Sequence, residues 1–227
     1  MPHQALLEIS HLSFRYPRGD FILNCSHFRL KKGEHVFIKG PSGQGKSTFL
    51  SLLTGLLLPQ KGEIKLYHHH LNALSCNKRD QLRARHFGII FQLFNLIDYL
   101  SVLENVMLPC FFSKARAQRM NLAQPELEAR RLCLAMGLEE KQLLLPIKSL
   151  SIGQQQRVAL CRALIGRPDI IIADEATSAL DSQNKARVLD LLFQEAQESA
   201  ILFVSHDEQL KSYFNRFCLG QDLFYSS

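Results

Sequence analysis

Val36-Phe-Ile-Lys39-Gly40-Pro41-Ser42-Gly43-Gln44-Gly45-Lys46-Ser47-Thr48 is the stretch whose reading decides the fold. Val36 to Lys39 is a short apolar, β-branched run, and apolar residues recur at helical spacing from Lys46 to Leu58. The order predicts a strand, a glycine turn and a helix. The turn fits the pattern GxxxxGK[ST]. Gly40, Gly43 and Gly45 permit backbone conformations and a close approach that a Cβ would forbid, with Pro41, Ser42 and Gln44 completing the loop between them. Several N–H groups can then converge on phosphate oxygens at the positive end of the helix. Lys46 can reach the β and γ phosphates of a nucleotide, Ser47 offers a hard oxygen to a bridging Mg²⁺, and Thr48 places a second hydroxyl nearby.

Further along, Asp169-Ile-Ile-Ile-Ala-Asp174-Glu175 is nearly all apolar and ends in two carboxylates. This is the pattern of a parallel strand buried on both faces whose C-terminal tip meets a ligand. Asp174 would hold Mg²⁺ and Glu175 would polarise the attacking water, both serving one site because the chain turns at the strand's end. Gln92 closes a buried run Phe87 to Phe91, where a glutamine needs polar partners. His206 closes another, Ala200 to Ser205, where it can donate to a phosphate. Joined to the phosphate loop, these segments read as an ATPase.

The chain resembles the ATP-binding cassette (ABC) family over essentially its whole length. The diagnostic segment is Leu150-Ser151-Ile152-Gly153-Gln154, followed by Gln155-Gln156-Arg157-Val158-Ala159-Leu160-Cys161-Arg162-Ala163-Leu164. Tyr16, Gln92, a D-loop Ser178-Ala179-Leu180-Asp181 and His206 follow the family's order. The resemblance implies an α/β fold: a P-loop NTPase core with a mostly parallel sheet, a small antiparallel β subdomain and a helical signature subdomain. The whole chain, 1–227, would be one ABC ATPase domain, with about 1–92 and 150–227 as core and about 93–150 as helical subdomain.

The resemblance also implies ATP and Mg²⁺ as ligands. Tyr16 would stack on adenine; Gln92, Glu175 and His206 would act in catalysis; Ser47, Gln92 and Asp174 would serve the metal. A head-to-tail homodimer would share each ATP between the phosphate loop of one copy and Ser151, Gly153 and Gln154 of the other, with Asp181 at the interface. Separate transmembrane permease subunits are the expected partners, and no nucleic acid. Two positions depart from the family pattern: Ile152 replaces the first signature glycine, which implies tuning of closure, and Ala176 replaces a proline.

Leu93-Phe-Asn-Leu-Ile-Asp-Tyr-Leu100 and the following Val102 to Pro109 are too apolar for a free loop. In the family this stretch receives a helix of the membrane subunit, with Phe94 and Leu96 the expected contacts. The wording here is similar to the lipoprotein-releasing, macrolide-export and cell-division branch, whereas the D-loop is similar to that of small-solute importers. Transport, mechanical signalling and import therefore stay open.

Composition fits these expectations. The chain has 227 residues, is 46% hydrophobic, carries a net charge of +6, and can bury one sizeable core. The positive balance suits polyanionic ATP and work beside anionic lipid. The excess falls mostly on helical faces at Lys78-Arg79, Arg83, Arg85 and Arg116 to Arg131, expected to be solvated. No apolar run approaches the ~18 residues of a membrane helix, and no signal segment opens the chain, so a peripheral place on the inner face of the cell membrane is expected. The six cysteines form no CxxC pair and read as reduced core residues. His68-His69-His70 reads as an exposed turn with no acidic partner nearby. Pro109 and Pro125 are expected to break the helical region.

Overall fold

The computed structural model describes residues 5–18, 20–41, 43–120, 125–177 and 182–226, the side chains of 182–184 and 225–226 excepted. The chain forms two compact units, Met1–Arg83 with Ala200–Ser227, and Ala84–Ser199.

The first unit opens with β1 (Ala5–Arg15) and β2 (Ile22–Lys31), antiparallel, with Leu7 opposite Leu30, Ile9 opposite Phe28 and Phe14 opposite Leu23. Burial alternates along both strands as one apolar face demands, and it changes phase at the same level in each, at Ser10–His11 and Ser26–His27. His11 takes the shift in a left-handed conformation, φ 49°. Strand β3 (His35–Lys39) leads through the glycine loop into α1 (Lys46–Leu53). That helix stops short of Leu58, its last turn closed by the Thr54 hydroxyl on the carbonyls of Leu50 and Ser51. Strand β4 (Lys61–Leu66) pairs with β1, and β5 (His69–His70) pairs with β4. His70 Nδ1 lies 2.8 Å from Glu63 Oε2, so the histidine run has the acidic neighbour that its sequence context did not suggest. No group of three or more metal-ligating side chains occurs among the described residues. Helix α2 (Cys76–His86) carries the chain onward.

In the second unit β6 (Phe87–Ile90) lies parallel to β7 (Ile170–Asp174), Phe87 opposite Ile170 and Ile90 opposite Ala173. Five helices accompany them: α3 (Val102–Phe112), α4 (Lys114–Arg119), α5 (Pro125–Ala135), α6 (Ile152–Leu164) and α7 (Ser182–Glu195). A capping box starts α3: the Ser101 hydroxyl accepts from Glu104 N–H while the Glu104 carboxylate accepts from Ser101 N–H at 2.7 Å. Neither proline breaks a helix. Pro109 sits inside α3 only three residues from its end, and Pro125 opens α5, where a missing N–H loses no helical bond.

Arg116 on α4 is buried, not solvated. Its guanidinium donates to the carbonyls of Phe87 (3.0 Å), Ala163 (2.9 Å) and Ile165 (2.9 Å), tying the start of β6 to the end of α6. Burial lowers its pKa to about 10. At the start of β7, Asp169 accepts from Arg119 at 2.9 Å and lies 2.5 Å from His86 Nδ1. Burial would raise its pKa, but these two partners hold it below the usual carboxylate value.

On return to the first unit, β8 (Ala200–Val204) and β9 (Arg216–Leu219) flank β3, both parallel to it. Val36 to Ile38 and Ala200 to Val204 are wholly buried, as two-faced cover requires. Phe37 packs against Phe203, Phe214 and Phe217, with the nearest centroid, Phe214, at 5.3 Å. The short α8 (Gly220–Leu223) and β10 (Tyr225–Ser226) end the described chain, β10 pairing with β2. Phe49 of α1 meets Phe28 at 5.6 Å and Phe224 at 4.8 Å, which seats the helix on the antiparallel sheet. All six cysteines are free; Cys25, Cys110, Cys133 and Cys161 are buried as expected, Cys218 is half-buried, and Cys76 is exposed.

Candidate nucleotide site

The first unit holds the phosphate loop at the C-terminal end of β3. Gly43 and Gly45 are left-handed, φ 81° and 94°. Gly45 caps α1 with no side-chain cap, which leaves the helix's first N–H groups facing the loop. Lys46 is buried and its ammonium donates to the carbonyls of Gly40 and Pro41, both at 2.7 Å, so it is held over the loop. Gln44 turns its side chain inward: a Cβ on Gly40 would lie 2.2 Å from its Oε1, and one on Gly220 2.8 Å. The Gln44 backbone N–H closes a turn on the Pro41 carbonyl at 3.5 Å. Ser47 is exposed, and Thr48 Oγ1 lies 3.1 Å from the Tyr16 hydroxyl. Tyr16 itself is 38% exposed, its ring braced edge-on by Phe14 at 4.9 Å. Thus an aromatic face and the phosphate loop share one edge of this unit. Ile38 pairs with Val204, so two residues further along the parallel strands Gly40 and His206 emerge at the same end. His206 is exposed there. Ser42 lies outside the described residues.

The second unit gathers the acidic residues. Ile90 pairs with Ala173, which brings Gln92, Asp174 and Glu175 to one end of β6 and β7. Glu175 is left-handed at φ 51°, so the chain turns directly at the end of β7. Gln92 is exposed, so solvent satisfies its amide and burial does not account for it. In the following turn Phe94 is buried, which removes it from any docking surface and leaves Leu93 (83% exposed) and Tyr99 (81%) as the outward apolar residues. Leu96 is half-buried.

The signature forms the start of α6. Ser151 caps the helix by accepting from Gln154 N–H, while Gln154 Oε1 accepts from Ser151 N–H at 2.9 Å. Gln154 is thereby a cap-box partner, and the Ser151 hydroxyl keeps its own proton to donate. The helix begins at Ile152, which is exposed. Asp181 lies outside the described residues.

Two residues of this unit went unread in the sequence. Gln156, wholly buried, donates its amide to the carbonyl of Ala176 just past Glu175. Arg162 donates to the carbonyls of Phe94 and Asn95, the latter at 2.7 Å. The signal was present: both are polar positions on a helix otherwise rich in buried apolar residues, and a buried polar side chain needs a partner.

The ABC transporter profile matches residues 23–178. The chain belongs to the ABC transporter family. Among similar proteins, the uncharacterized ABC transporter ATP-binding protein YbbA of Escherichia coli K12 is 39% identical over 225 residues, covering 96% of this chain and 95% of YbbA. The macrolide export ATP-binding/permease protein MacB of Pasteurella multocida is 36% identical over 227 residues, which span 98% of this chain but 34% of MacB. The dimeric cassette MJ0796 of Methanocaldococcus jannaschii shares the fold at TM-score 0.81 with 32% identity, over 94% of this chain and 93% of MJ0796. A second MJ0796 structure is a post-hydrolysis state bound to ADP and Pi. No helix among the described residues is long and apolar enough to cross a membrane.

Proposed function

We propose that this chain is the ATP-binding and ATP-hydrolysing subunit of an export-type ABC transporter. It works as a head-to-tail homodimer whose closure drives separate membrane permease subunits. The observation that carries this is the phosphate loop, with left-handed Gly43 and Gly45 and a buried Lys46 aimed along it, in a chain whose family relatives include a dimeric cassette in a post-hydrolysis state. A glycine loop at a helix N-terminus suits a triphosphate, and Gly43 and Gly45 carry no side chain to obstruct one. Tyr16 takes the adenine face, and Lys46 the β and γ phosphates. Ser47, Asp174 and Gln92 supply the oxygen donors that suit Mg²⁺, which when bound neutralises phosphate charge. Glu175 accepts a proton from the attacking water, His206 donates a hydrogen bond toward the γ-phosphate, and the partner copy's signature serine and glycine complete the site. Asp181 belongs to the same interface.

Glu175→Gln tests this reading, since it removes the base and keeps the shape. Turnover should fall by roughly 10²- to 10⁴-fold while ATP binding persists, and light scattering should show a dimer with ATP. A monomer under these conditions sinks the shared site.

The export direction draws support from relatives named for macrolide and syringafactin export, whose names also include a permease. The partner surface is the exposed pair Leu93 and Tyr99 next to Gln92. Charging both, as Leu93→Glu with Tyr99→Glu, should release the chain from membranes and leave ATPase of the purified subunit within about two-fold. Unchanged co-fractionation with membranes would place the partner elsewhere.

A further inference from the structure

Helix α6 touches the functional region at two places. Its first turn carries the Ser151 cap, and close to its last turn Arg162 reaches into the chain that follows Gln92. That chain is unusual in its backbone. Phe94 and Asn95 are consecutive left-handed residues, φ 60° and 49°, and neither is glycine. For a bulky aromatic this conformation is unfavourable and persists only when its surroundings enforce it.

The enforcing contacts are few and identifiable. Phe94 N–H closes a turn onto the Phe91 carbonyl at 2.9 Å, Asn95 N–H bonds the Leu93 carbonyl at 2.7 Å, and the Phe94 ring is buried. The two carbonyls of the left-handed pair then both point at one guanidinium, Arg162 Nη1 on Asn95 at 2.7 Å and Nη2 on Phe94. Planar Arg suits this task, because two N–H groups on different nitrogens can hold two neighbouring carbonyls at a fixed angle. No carboxylate pairs with Arg162 among the described residues, and burial lowers its pKa to about 10. A charge is therefore kept in a desolvated place for the sake of two backbone oxygens, at a cost that a plain core position would not carry.

We propose that Arg162 is a positioning residue for Gln92: it fixes the left-handed Phe94–Asn95 turn, and through it the direction in which Gln92 and Leu93 leave β6, so that any movement of the signature helix is passed to that turn. The role rests on the assignment of Gln92 to the nucleotide site given above. It goes beyond that assignment by naming the contact that connects the signature helix to Gln92 within one chain.

The experiment uses the full-length chain and four variants, with ATPase kinetics and amide hydrogen exchange as readouts. Gln92→Ala measures what Gln92 contributes. Arg162→Met removes both hydrogen bonds at similar volume, and Arg162→Lys keeps the charge with a single flexible donor. Asn95→Val attacks the same turn from the other side at an exposed position, where a β-branched residue resists positive φ, so it reports even if an Arg162 variant fails to fold.

The expected result is a kcat about ten-fold lower in Gln92→Ala, Arg162→Met and Asn95→Val with KM for ATP little changed, a misplacement effect and not a loss of binding. Arg162→Lys should recover part of the rate, and amide exchange should quicken at residues 92–96 more than elsewhere in the second unit. If Gln92→Ala lowers kcat but Arg162→Met and Asn95→Val leave both kcat and exchange at 92–96 unchanged, the positioning role is overturned and the site assignment stands. If Gln92→Ala itself leaves kcat unchanged, the site assignment of Gln92 fails and the positioning role falls with it.

Discussion

The turn after β3 and the turns after β6 and β7 do similar work by different means. In the phosphate loop the left-handed residues are Gly43 and Gly45, and the lysine that crowns the loop bonds carbonyls five and six positions away, at Pro41 and Gly40. In the turns after β6 and β7 the left-handed residues are Phe94, Asn95 and Glu175, and contacts that hold their surroundings come from α6, Arg162 onto Phe94 and Asn95 and Gln156 onto Ala176. The first turn is therefore specified by residues within itself, because glycine accepts positive φ without a partner. The others combine local backbone hydrogen bonds with packing from α6, because a bulky non-glycine residue such as Phe94 needs more than its own turn to hold positive φ. A ligand-binding loop that must present bare N–H groups gains from glycine. A turn that must transmit the state of a helix gains from being unable to hold its shape alone.

This difference predicts where the molecule is fragile. In the second unit the largest effect should come from Arg116, which reaches the backbone in the same way as Arg162 but with three carbonyls of Phe87, Ala163 and Ile165 on one guanidinium. Arg116→Met leaves those carbonyls buried without a donor. An unsatisfied buried acceptor costs about 1–3 kcal/mol, so the variant should lose about 4 kcal/mol, read as a lower denaturant midpoint. Relief of the arginine's own desolvation offsets part of the total but cannot supply donors to the main chain. A loss under about 1 kcal/mol would mean that water or a shifted backbone replaces the guanidinium, and the second unit's dependence on long side chains would be overstated.

The same contrast explains what could be read from residue order. The phosphate loop, the buried runs of β3, β7 and β8 and the position of Asp174 were legible, since each is set by spacing and local chemistry. The presence of both antiparallel and parallel strands was legible too, from alternation in β1 and β2 against solid apolar runs in the parallel strands. What stayed hidden depends on which distant residue arrives. Arg116 lies among charged neighbours, so nothing local marks it as buried. Phe94 and Leu93 are adjacent and equally apolar, yet one is buried and the other is 83% exposed, because the chain turns at this point, Phe94 N–H closing onto the Phe91 carbonyl. Gln92 faces solvent although its strand is buried, since the sheet has already ended at Ile90. Pro109 does not break α3, against the expectation from its type, because so little helix follows it.

On the first unit's side the test is Gly45→Ala, with Gly43→Ala as its internal control. Both glycines are left-handed, and an alanine at either costs about 1 kcal/mol for its backbone alone. Their surroundings differ. A Cβ on Gly43 meets nothing within 4 Å, whereas one on Gly45 lies 2.5 Å from the tip of the Phe21 ring and 3.2 Å from a Leu23 methyl. Gly43→Ala should therefore show the backbone cost only, and Gly45→Ala about 2 kcal/mol, because Phe21 must move and Leu23 is buried and cannot. Phe21 is half-buried and contacts Tyr16 at 6.2 Å, so its displacement should also disturb the aromatic face and weaken ATP binding more than the stability loss alone. Placing Gly45→Ala in a Phe21→Ala background separates the two contributions. If the loop is specified from within, the second background should bring the cost of Gly45→Ala close to that of Gly43→Ala, because only the φ penalty is left. If the full cost survives, the position is constrained by the helix or by Leu23 and not by the ring, and the phosphate loop then leans on its neighbours as the Gln92 turn does.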